Sequence, residues 1–501
     1  MSVRTADPTR TRRRADRWTL AVVLLGFLTL PMSMSGAGVA VPRIAADLGA
    51  EGPAAQWVVT AYFLTASSFM LVAGSLGDAV GRRRIYRIGA LAYTIGSLAA
   101  ALAPTIALLL TARVVTGLGA AGVMAGGGAL LGATFTGPAR TRAFAAMGTT
   151  GGLGLALGPT LSGLLIDSVG WRVGFGVFAI AGAILLVGTR LLRETRAQTR
   201  PRIDLAGAAT FILCLAALML AVTQGADHGW GAPEVVALLA AAVVLFLGFV
   251  LIERRATNPV LDLSLLRRRR FIGWLLAATT MSAGFVGILS FLPSYLQDPA
   301  GYTAAQAGLV MILPTLPMML MPLAGSRLIN RGVPPALLAT VALLAIAGGN
   351  AWLAILHPAV TPLDLAGPLI LTGTGVGLAS GIIDAQAMNE VTENQVGMAA
   401  GMLNTVRGAA NALGLAIFGS ALIAILASRI GSTSLAGQAT TGNIPDTTEA
   451  AFLGEQLTET WRVVLLIIAG LCLAAATGTG VLLRHRHGRR STQGRLATPS
   501  H

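Results

Sequence analysis

The strongest constraint on this chain is a series of fourteen apolar runs, each close to the length of a membrane-spanning helix. A helix needs roughly 20 apolar residues to cross the hydrocarbon core of a bilayer. The runs cover residues 18–40, 54–76, 85–103, 106–133, 143–166, 173–192, 205–222, 234–252, 271–293, 304–326, 334–356, 365–388, 399–427 and 462–483. Only 11% of the residues are charged, against about 25% in soluble domains. The sequence therefore predicts an all-α polytopic membrane protein with fourteen spans.

The arginines predict the orientation of these spans. All 36 basic residues are Arg, and basic residues are enriched in cytoplasmic loops. If the N-terminus is cytoplasmic, the loops, tails and adjoining span ends on that side carry 30 of them, and the outer loops with their adjoining span ends carry 4. The other two, Arg113 and Arg407, lie within spans. We therefore expect a multi-pass protein of the cell membrane with both termini in the cytoplasm.

Composition and charge exclude several classes of function. The net charge of +15 resides in short loops between spans, which indicates membrane topology, so no nucleic-acid partner is expected. The chain has no Lys, which excludes a P-loop lysine and a lysine Schiff base. All five His lie in loops or tails, so we expect no catalytic residue, no metal, no cofactor and no enzyme activity. A non-transporting membrane sensor stays open as the weaker alternative.

Two charged segments divide the series of runs. Residues 193–204 and 253–270 bracket the seventh and eighth runs, which leaves two sets of six helices on either side. Two such halves around a central cavity are typical of transporters. The expected domains are a tail at 1–17, a six-helix bundle at 18–192, a linker with two extra helices at 193–270, a second six-helix bundle at 271–483 and a tail at 484–501.

A glycine-rich, charged turn is predicted between the second and third runs, from Gly74 to Arg84. Gly81 lets the chain reverse tightly, and Asp78 can form charge-assisted hydrogen bonds with the neighbouring arginines. This stretch resembles the signature loop between the second and third helices of the major facilitator superfamily, although Ala79 stands where a basic residue is common. The resemblance implies a gating role for Gly74, Asp78, Gly81, Arg82 and Arg83.

A second motif places Arg113 inside the fourth run. A buried guanidinium is costly unless it is paired, so an intramembrane Arg indicates function. The alternative is an Arg near the helix end whose charged head extends to the interface. The stretch Leu109–Ala121 resembles the fourth-helix motif of the superfamily, with Thr116 in place of Gln. In that motif the Arg is tied to proton coupling.

A third motif lies in the fifth run and contains Gly154, Gly158, Pro159 and Gly163. Gly154 and Gly158 share one helix face and allow a neighbouring helix to approach closely, and Pro159 bends the helix. Taken alone, this pattern indicates only close packing between two helices. It resembles the fifth-helix motif of superfamily exporters, with Ser162 in place of one Gly, and so implies an antiporter.

Further stretches narrow the resemblance to the fourteen-span drug:proton antiporter family over about residues 18–485. They are Gln56–Tyr62, Asp204–Gly207, Gln224–Gly231, Asn258–Leu263 and Gly401–Arg407. The resemblance implies a major facilitator fold with two six-helix bundles and two extra central helices. It also implies export of hydrophobic drugs or antibiotics in exchange for protons, by alternating access. A facilitator that carries one specific metabolite is the alternative function.

The carboxylate that proton coupling requires is missing from its expected place. The family pattern has an Asp midway along the first helix, and this chain has Ser33 there. Asp384 lies inside the twelfth run, and we hypothesise that it takes up the proton, paired with Arg407. The alternatives are that Asp384 is only hydrated or structurally paired, that Asp78 and Arg113 carry the coupling together, or that coupling is weak.

The predicted cavity has few charges, which favours amphipathic, hydrophobic substrates. Methionine side chains there can adapt to several ligand shapes. The candidate cavity residues are Ser33, Met34, Tyr62 and Met281. The partners expected for a monomeric chain are therefore a small hydrophobic substrate, protons and the lipid bilayer.

Overall fold

The computed structural model describes residues 8–50, 53–135, 137–195, 204–255, 265–391, 396–441 and 450–483. Within these ranges the regular structure is entirely helical. The helices are α1 (Pro8–Leu48), α2 (Pro53–Val80), α3 (Arg82–Ala101), α4 (Ile106–Thr134), α5 (Gly137–Val169), α6 (Trp171–Gly188), α7 (Leu205–His228), α8 (Pro233–Arg255), α9 (Arg269–Gln297), α10 (Ala304–Val310), α11 (Ile312–Asn330), α12 (Pro335–Leu353), α13 (Pro362–Asn389), α14 (Val396–Ile430), α15 (Thr433–Thr440) and α16 (Ala450–Leu483). All fourteen apolar runs coincide with helices, which confirms the all-α prediction.

Eleven of the described helical segments are long and apolar enough to cross a membrane by length and composition. The tenth run is a single span, Ala304–Asn330, that is interrupted at Met311 between α10 and α11. The runs of α2, α3 and α7 fall outside this set of eleven, yet these helices have 28, 20 and 24 residues. Each is therefore long enough to span a bilayer.

Two predicted loops are more helical than the sequence indicated. The glycine-rich turn from Gly74 to Arg84 is helical up to Val80, and Gly81 alone separates α2 from α3. The outer loop predicted over 428–460 contains α15 and the first turns of α16. Helix α15 begins there because the Ser432 hydroxyl accepts a hydrogen bond from the backbone N–H of Leu435, which caps the first turn.

The helices pack as two bundles with a hairpin beside them. In the first bundle α3 packs against α4 and α6, α1 against α5, and α2 against α4. In the second, α12 packs against α13 and α16, α11 against α13, and α9 against α14 and α16. Helices α7 and α8 pack against each other, and α7 also contacts α2 and α14, one helix from each bundle. The residue boundaries of the domains stay a prediction.

One face of α8 has no protein neighbour. Its large apolar side chains are more than half exposed, namely Val243, Val244, Phe246, Leu247 and Leu251. In a soluble protein such a patch would be an interaction site or an aggregation hazard. In this polytopic protein the patch faces the lipid acyl chains, which are as apolar as the side chains themselves.

Glycines allow the backbones of α1 and α5 to touch. A Cβ at Gly154 would collide with the carbonyl oxygen of Leu28, and a Cβ at Gly158 would collide with the Ser35 hydroxyl. Ser162, which replaces a Gly of the family motif, faces Gly36 of α1. Because Gly36 has no side chain, it leaves space for the Ser162 hydroxyl. The predicted close approach is therefore made with α1.

We expect Gly154→Ala to destabilise the protein, because the added methyl group forces α1 and α5 apart and overpacking costs about 1–3 kcal/mol. Gly148→Ala on the same helix is the matched control, since a Cβ there has no neighbour within 4 Å. The measurement is thermal unfolding of purified protein in detergent. Equal unfolding temperatures for the two variants would contradict close packing between α1 and α5 at Gly154.

Candidate functional site

The two bundles are joined near the middle of α2 and α14, where the Ser67 hydroxyl donates to the carbonyl oxygen of Gly408 at 3.0 Å, and along one side of the membrane. The Thr160 hydroxyl of α5 donates to the carbonyl oxygen of Gly308 at 2.7 Å. The Asp167 carboxylate accepts from the backbone N–H of Ala305 at 2.8 Å. These contacts lie toward the carboxyl-terminal end of α5 and at α10, where a Cβ at Gly163 would also collide with the backbone of Ala304. Helix α5 thus contacts the second bundle through backbone and short side chains.

Helices α1 and α9 meet at the same side. The Gln297 side chain donates to the carbonyl oxygen of Val39 at 3.2 Å, and Gly38 lies against the backbone of Ser290. Consecutive spans alternate in direction, so the carboxyl-terminal ends of α1, α5 and α9 share one face of the membrane. We call these cross-bundle contacts the outer seam, formed by Gly38, Val39, Thr160, Gly163, Asp167, Ser290, Gln297, Ala304, Ala305 and Gly308.

The predicted pair of Asp384 and Arg407 meets on neighbouring helices at the other side. Arg407 Nη2 donates to Asp384 Oδ1 at 2.5 Å. The side chain of Asp384 is 49% exposed and that of Arg407 is 23% exposed, so the carboxylate is accessible to protons. Asp384 lies five residues before the end of α13 at Asn389. The contact fits the hypothesis, and the proton role of Asp384 stays a prediction.

The loop after α13 carries a second ionic contact. Arg270 Nε lies 3.3 Å from Glu390 Oε1, and Arg268 donates to the Glu390 carbonyl oxygen at 2.5 Å. Arg268 directly precedes α9 and Arg270 lies in its first turn, so the start of α9 reaches the end of α13. The neighbouring Glu393 lies outside the described residues.

Arg113 is completely buried within the first bundle. Its Nε donates to the carbonyl oxygen of Val58 at 2.7 Å. The guanidinium carbon lies 4.5 Å from the centre of the Tyr62 ring and 5.5 Å from that of Phe175, where cation–π attraction stabilises the charge. Nη1 and Nη2 have no hydrogen-bond partner in the described structure. The guanidinium therefore lies inside the first bundle and does not extend to the membrane–water interface.

Arg113 and Asp384 belong to separate sites. Arg113 follows the start of α4 by seven residues, whereas Asp384 is near the end of α13. The two helices run in the same direction through the bundles, so the two charges lie toward opposite faces of the membrane. Arg113 therefore does not pair with the Asp384–Arg407 site.

Three buried hydroxyls form a cluster next to the Arg113 site, and Tyr93 is the member that lies near Arg113. The Tyr93 hydroxyl lies beside those of Ser33 and Ser97 and close to Arg113. None of the three hydroxyl oxygens completes a hydrogen bond within the described structure. The sequence analysis missed Tyr93 and Ser97, although they are four residues apart on α3 and therefore share a face of that helix.

The motif residues around Gly81 are bound to the segment that follows α6. Gly81 has a φ of +130°, and a Cβ there would strike the Glu194 carboxylate. That carboxylate accepts from the backbone N–H of Arg83 at 3.1 Å, while Arg83 Nε donates to the Thr189 carbonyl oxygen at 2.9 Å. Thr189 directly follows α6, and Glu194 lies in the segment after it, which the sequence analysis placed in the linker; the sequence analysis missed the role of Glu194. The side chain of Asp78 lies outside the described residues.

The four candidate cavity residues divide between the bundle interiors and the interface. Ser33 and Tyr62 are buried in the first bundle, where the Tyr62 hydroxyl donates to the Leu30 carbonyl oxygen at 3.2 Å. Met281 is buried in the core of the second bundle. Met34 is half-buried and packs against the cores of both bundles. Met34 is thus the member of this set that the fold places between the two halves.

Known proteins resemble this chain along most of its length. It is 35% identical over 421 residues to the multidrug resistance protein Stp of Mycobacterium tuberculosis, covering 83% of this chain and 78% of that protein. It is 34% identical to the puromycin resistance protein pur8 of Streptomyces alboniger, covering 80% of each. It is 32% identical to the cephamycin export protein CmcT of Amycolatopsis lactamdurans, and the match covers 83% of this chain and 87% of that protein.

Solved structures show the same fold. A bacterial homolog of the human lysosomal transporter Spinster superposes with a TM-score of 0.65 at 15% identity, covering 94% of this chain and 97% of that one. A peptide transporter of the POT family superposes with a TM-score of 0.64 at 19% identity, covering 96% and 99%. The model of the Major Facilitator Superfamily matches residues 23–415. The chain is therefore a multi-pass membrane transporter, not an enzyme, and it belongs to the major facilitator superfamily.

Proposed function

We propose that this chain exports small hydrophobic drugs or antibiotics across the cell membrane in exchange for protons. The observation that carries the proposal is its similarity, at 32–35% identity over about four fifths of its length, to proteins named for drug resistance or antibiotic export. The exporter-like motif at Gly154–Gly163 supports the same direction of transport. The chain acts as a monomer in the bilayer with both termini in the cytoplasm.

The arrangement of the bundles supports alternating access. With the N-terminus in the cytoplasm, the outer seam closes the extracellular side, and the Asp384–Arg407 pair lies toward the cytoplasm. Substrate would enter the space between the halves from the cytoplasm, where Met34 lies at their interface. Opening toward the outside requires that the outer seam separates while the cytoplasmic ends of the bundles approach each other.

The Asp384–Arg407 pair is the proposed proton site. Protonation of Asp384 removes the negative charge that Arg407 binds, so the ion pair weakens and α13 and α14 are free to shift relative to each other. Deprotonation restores the pair. The half-exposed carboxylate allows proton exchange with water in this conformation. Binding of a proton and movement of the helices are thereby coupled through one contact.

The motif around Gly81 is the proposed gate on the cytoplasmic side. Glu194 and the backbone of Thr189 hold Arg83, so the start of α3 is tied to the end of α6 and the first bundle moves as a unit. Asp78, with Arg82 and Arg83, would latch the two bundles together when the cytoplasmic side closes. Gly74 would let the latch approach the second bundle.

Purified protein in liposomes with an imposed pH gradient should move a hydrophobic fluorescent cation, and Arg113→Ala should reduce the rate to that of protein-free liposomes. The expected loss follows from the role of Arg113 in orienting α2 and α4 within the first bundle. Folding of the variant is checked by thermal unfolding. Absence of movement with the folded wild-type protein would favour a narrow metabolite substrate.

Asp384→Asn should abolish accumulation driven by the pH gradient but leave downhill exchange of substrate intact, because an amide cannot release a proton. Glu455→Gln is the matched control, since Glu455 is an exposed acidic residue near the outer end of α16. Gradient-driven accumulation that survives in Asp384→Asn would exclude Asp384 as the proton site and leave export itself untouched.

Closing the outer seam covalently should stop transport. In a background with Cys214→Ala and Cys472→Ala, the double variant Asp167→Cys, Ala305→Cys replaces a hydrogen-bonded contact between the bundles. An oxidant should inhibit the double variant and a reductant should restore it, while each single variant is insensitive. Full activity of the cross-linked protein would contradict alternating access through this seam.

A further inference from the structure

Among the described residues of the first bundle, no carboxylate forms an ion pair with Arg113. The acidic residues of the sequence between positions 18 and 192 all lie at or beyond helix ends, namely Asp47, Glu51, Asp78 and Asp167. Asp47 is bound to Arg172 and Asp167 to the backbone of Ala305. A buried charge that lacks a partner is strongly destabilising, so the bundle needs another source of negative charge.

The groups next to Arg113 are arranged as hydrogen-bond donors. Nη1 and Nη2 of the guanidinium are buried and unpartnered in the described structure, and so are the hydroxyls of Ser33, Tyr93 and Ser97. A guanidinium nitrogen can only donate, and each hydroxyl has one proton to donate. The five groups come from α1, α3 and α4, and the Tyr93 hydroxyl lies near both serine hydroxyls and near Arg113 without completing a hydrogen bond to any of them.

The surroundings of the guanidinium leave its edge available. The rings of Tyr62 and Phe175 lie against it, and Nε is used by the Val58 carbonyl oxygen. The two remaining nitrogens, Nη1 and Nη2, are left without a partner in the described structure. Because Ser33, Tyr93, Ser97 and Arg113 are at most 1% exposed, a drug-sized carboxylate cannot reach the guanidinium unless the bundle opens, which leaves a small ion as the candidate counter-charge.

Another arginine in the same protein shows how the chain satisfies such a group when a carboxylate is at hand. Arg462 of α16 also donates through Nε to a carbonyl oxygen, that of Leu356, at 2.9 Å. Its Nη1, however, donates to Glu459 at 2.5 Å. Arg113 makes the first of these two contacts and lacks the second.

We propose that Arg113, Ser33, Tyr93 and Ser97 form a binding site for a small inorganic anion, for which chloride is the natural probe. The anion accepts hydrogen bonds from the guanidinium edge and from the three hydroxyls. It neutralises the charge of Arg113 and ties α1, α3 and α4 together. This site does not depend on the proposed export activity or on the Asp384–Arg407 pair.

The first test is thermal unfolding of the full-length protein in detergent at constant ionic strength, with chloride replaced stepwise by gluconate. Chloride should raise the unfolding temperature of the wild-type protein and the rise should saturate, as for any ligand that binds the folded state. Tyr93→Phe removes one donor and should weaken the apparent affinity by about tenfold or more, the loss expected for a hydrogen bond to a charged group.

Two further variants separate an anion site from a general salt effect. Ser33→Asp supplies a carboxylate beside Tyr93 and Arg113, so the protein should be stable without chloride and should no longer respond to it. Arg462→Gln removes the arginine that already has a carboxylate partner and should keep the wild-type chloride response. Arg113→Gln should lose the response where the variant folds.

The position of the anion is tested directly by bromide in crystals of the wild-type protein. We expect an anomalous peak within hydrogen-bond distance of the Arg113 guanidinium edge, and none there in Ser33→Asp. The proposal is overturned if chloride leaves wild-type stability unchanged. It is equally overturned if all variants respond alike, if Ser33→Asp still responds, or if bromide is absent from this site.

Discussion

The hydrocarbon core of the bilayer offers no hydrogen-bond partner to a peptide group, and this constraint shapes the whole molecule. Each backbone N–H and C=O in the membrane must be satisfied within its own helix, so every apolar run becomes a helix. Lipid is as apolar as the side chains, so burial of apolar surface does not drive the helices together. They associate through close packing at small residues, as at Gly154 and Gly158 against α1.

Close packing also explains where the two halves of the transporter can separate. In the outer seam, α5 approaches α10 at Gly163, and short side chains such as Thr160 and Asp167 make single hydrogen bonds across the boundary. In the proposed alternating-access cycle, these single hydrogen bonds would be broken and remade as the bundles move. The contacts between α1 and α5 lie within the first bundle and would be kept.

The scarcity of charge inside the membrane makes each remaining charge informative. Asp384 and Arg407 neutralise each other at a position that is half exposed, an arrangement suited to repeated protonation. Arg113 is fully buried without a carboxylate, an arrangement that is suited to permanent compensation by a bound ion. The two sites lie toward opposite sides of the membrane, so the proposed proton step and the proposed anion site would not compete for the same groups.

The sequence by itself determined the number of apolar runs, the membrane class, the family and the residues of the three motifs, because length, hydropathy and local spacing are properties of the chain alone. It also pointed to Asp384 and Arg407 as partners. It misjudged residues 74–80, where helical hydrogen bonding continues through a glycine-rich stretch up to Gly81. Local composition does not reveal where a helix that is supported by its neighbours will end.

Only the tertiary structure decided which polar groups surround each charge. The Tyr93 hydroxyl approaches Arg113, and Glu194 approaches Gly81, because of the rotation and tilt of the helices relative to one another. Those angles are set by the packing of small residues along whole helix faces. For the same reason Ser33 and Tyr62 lie inside the first bundle while Met34, one residue from Ser33, lies between the two halves.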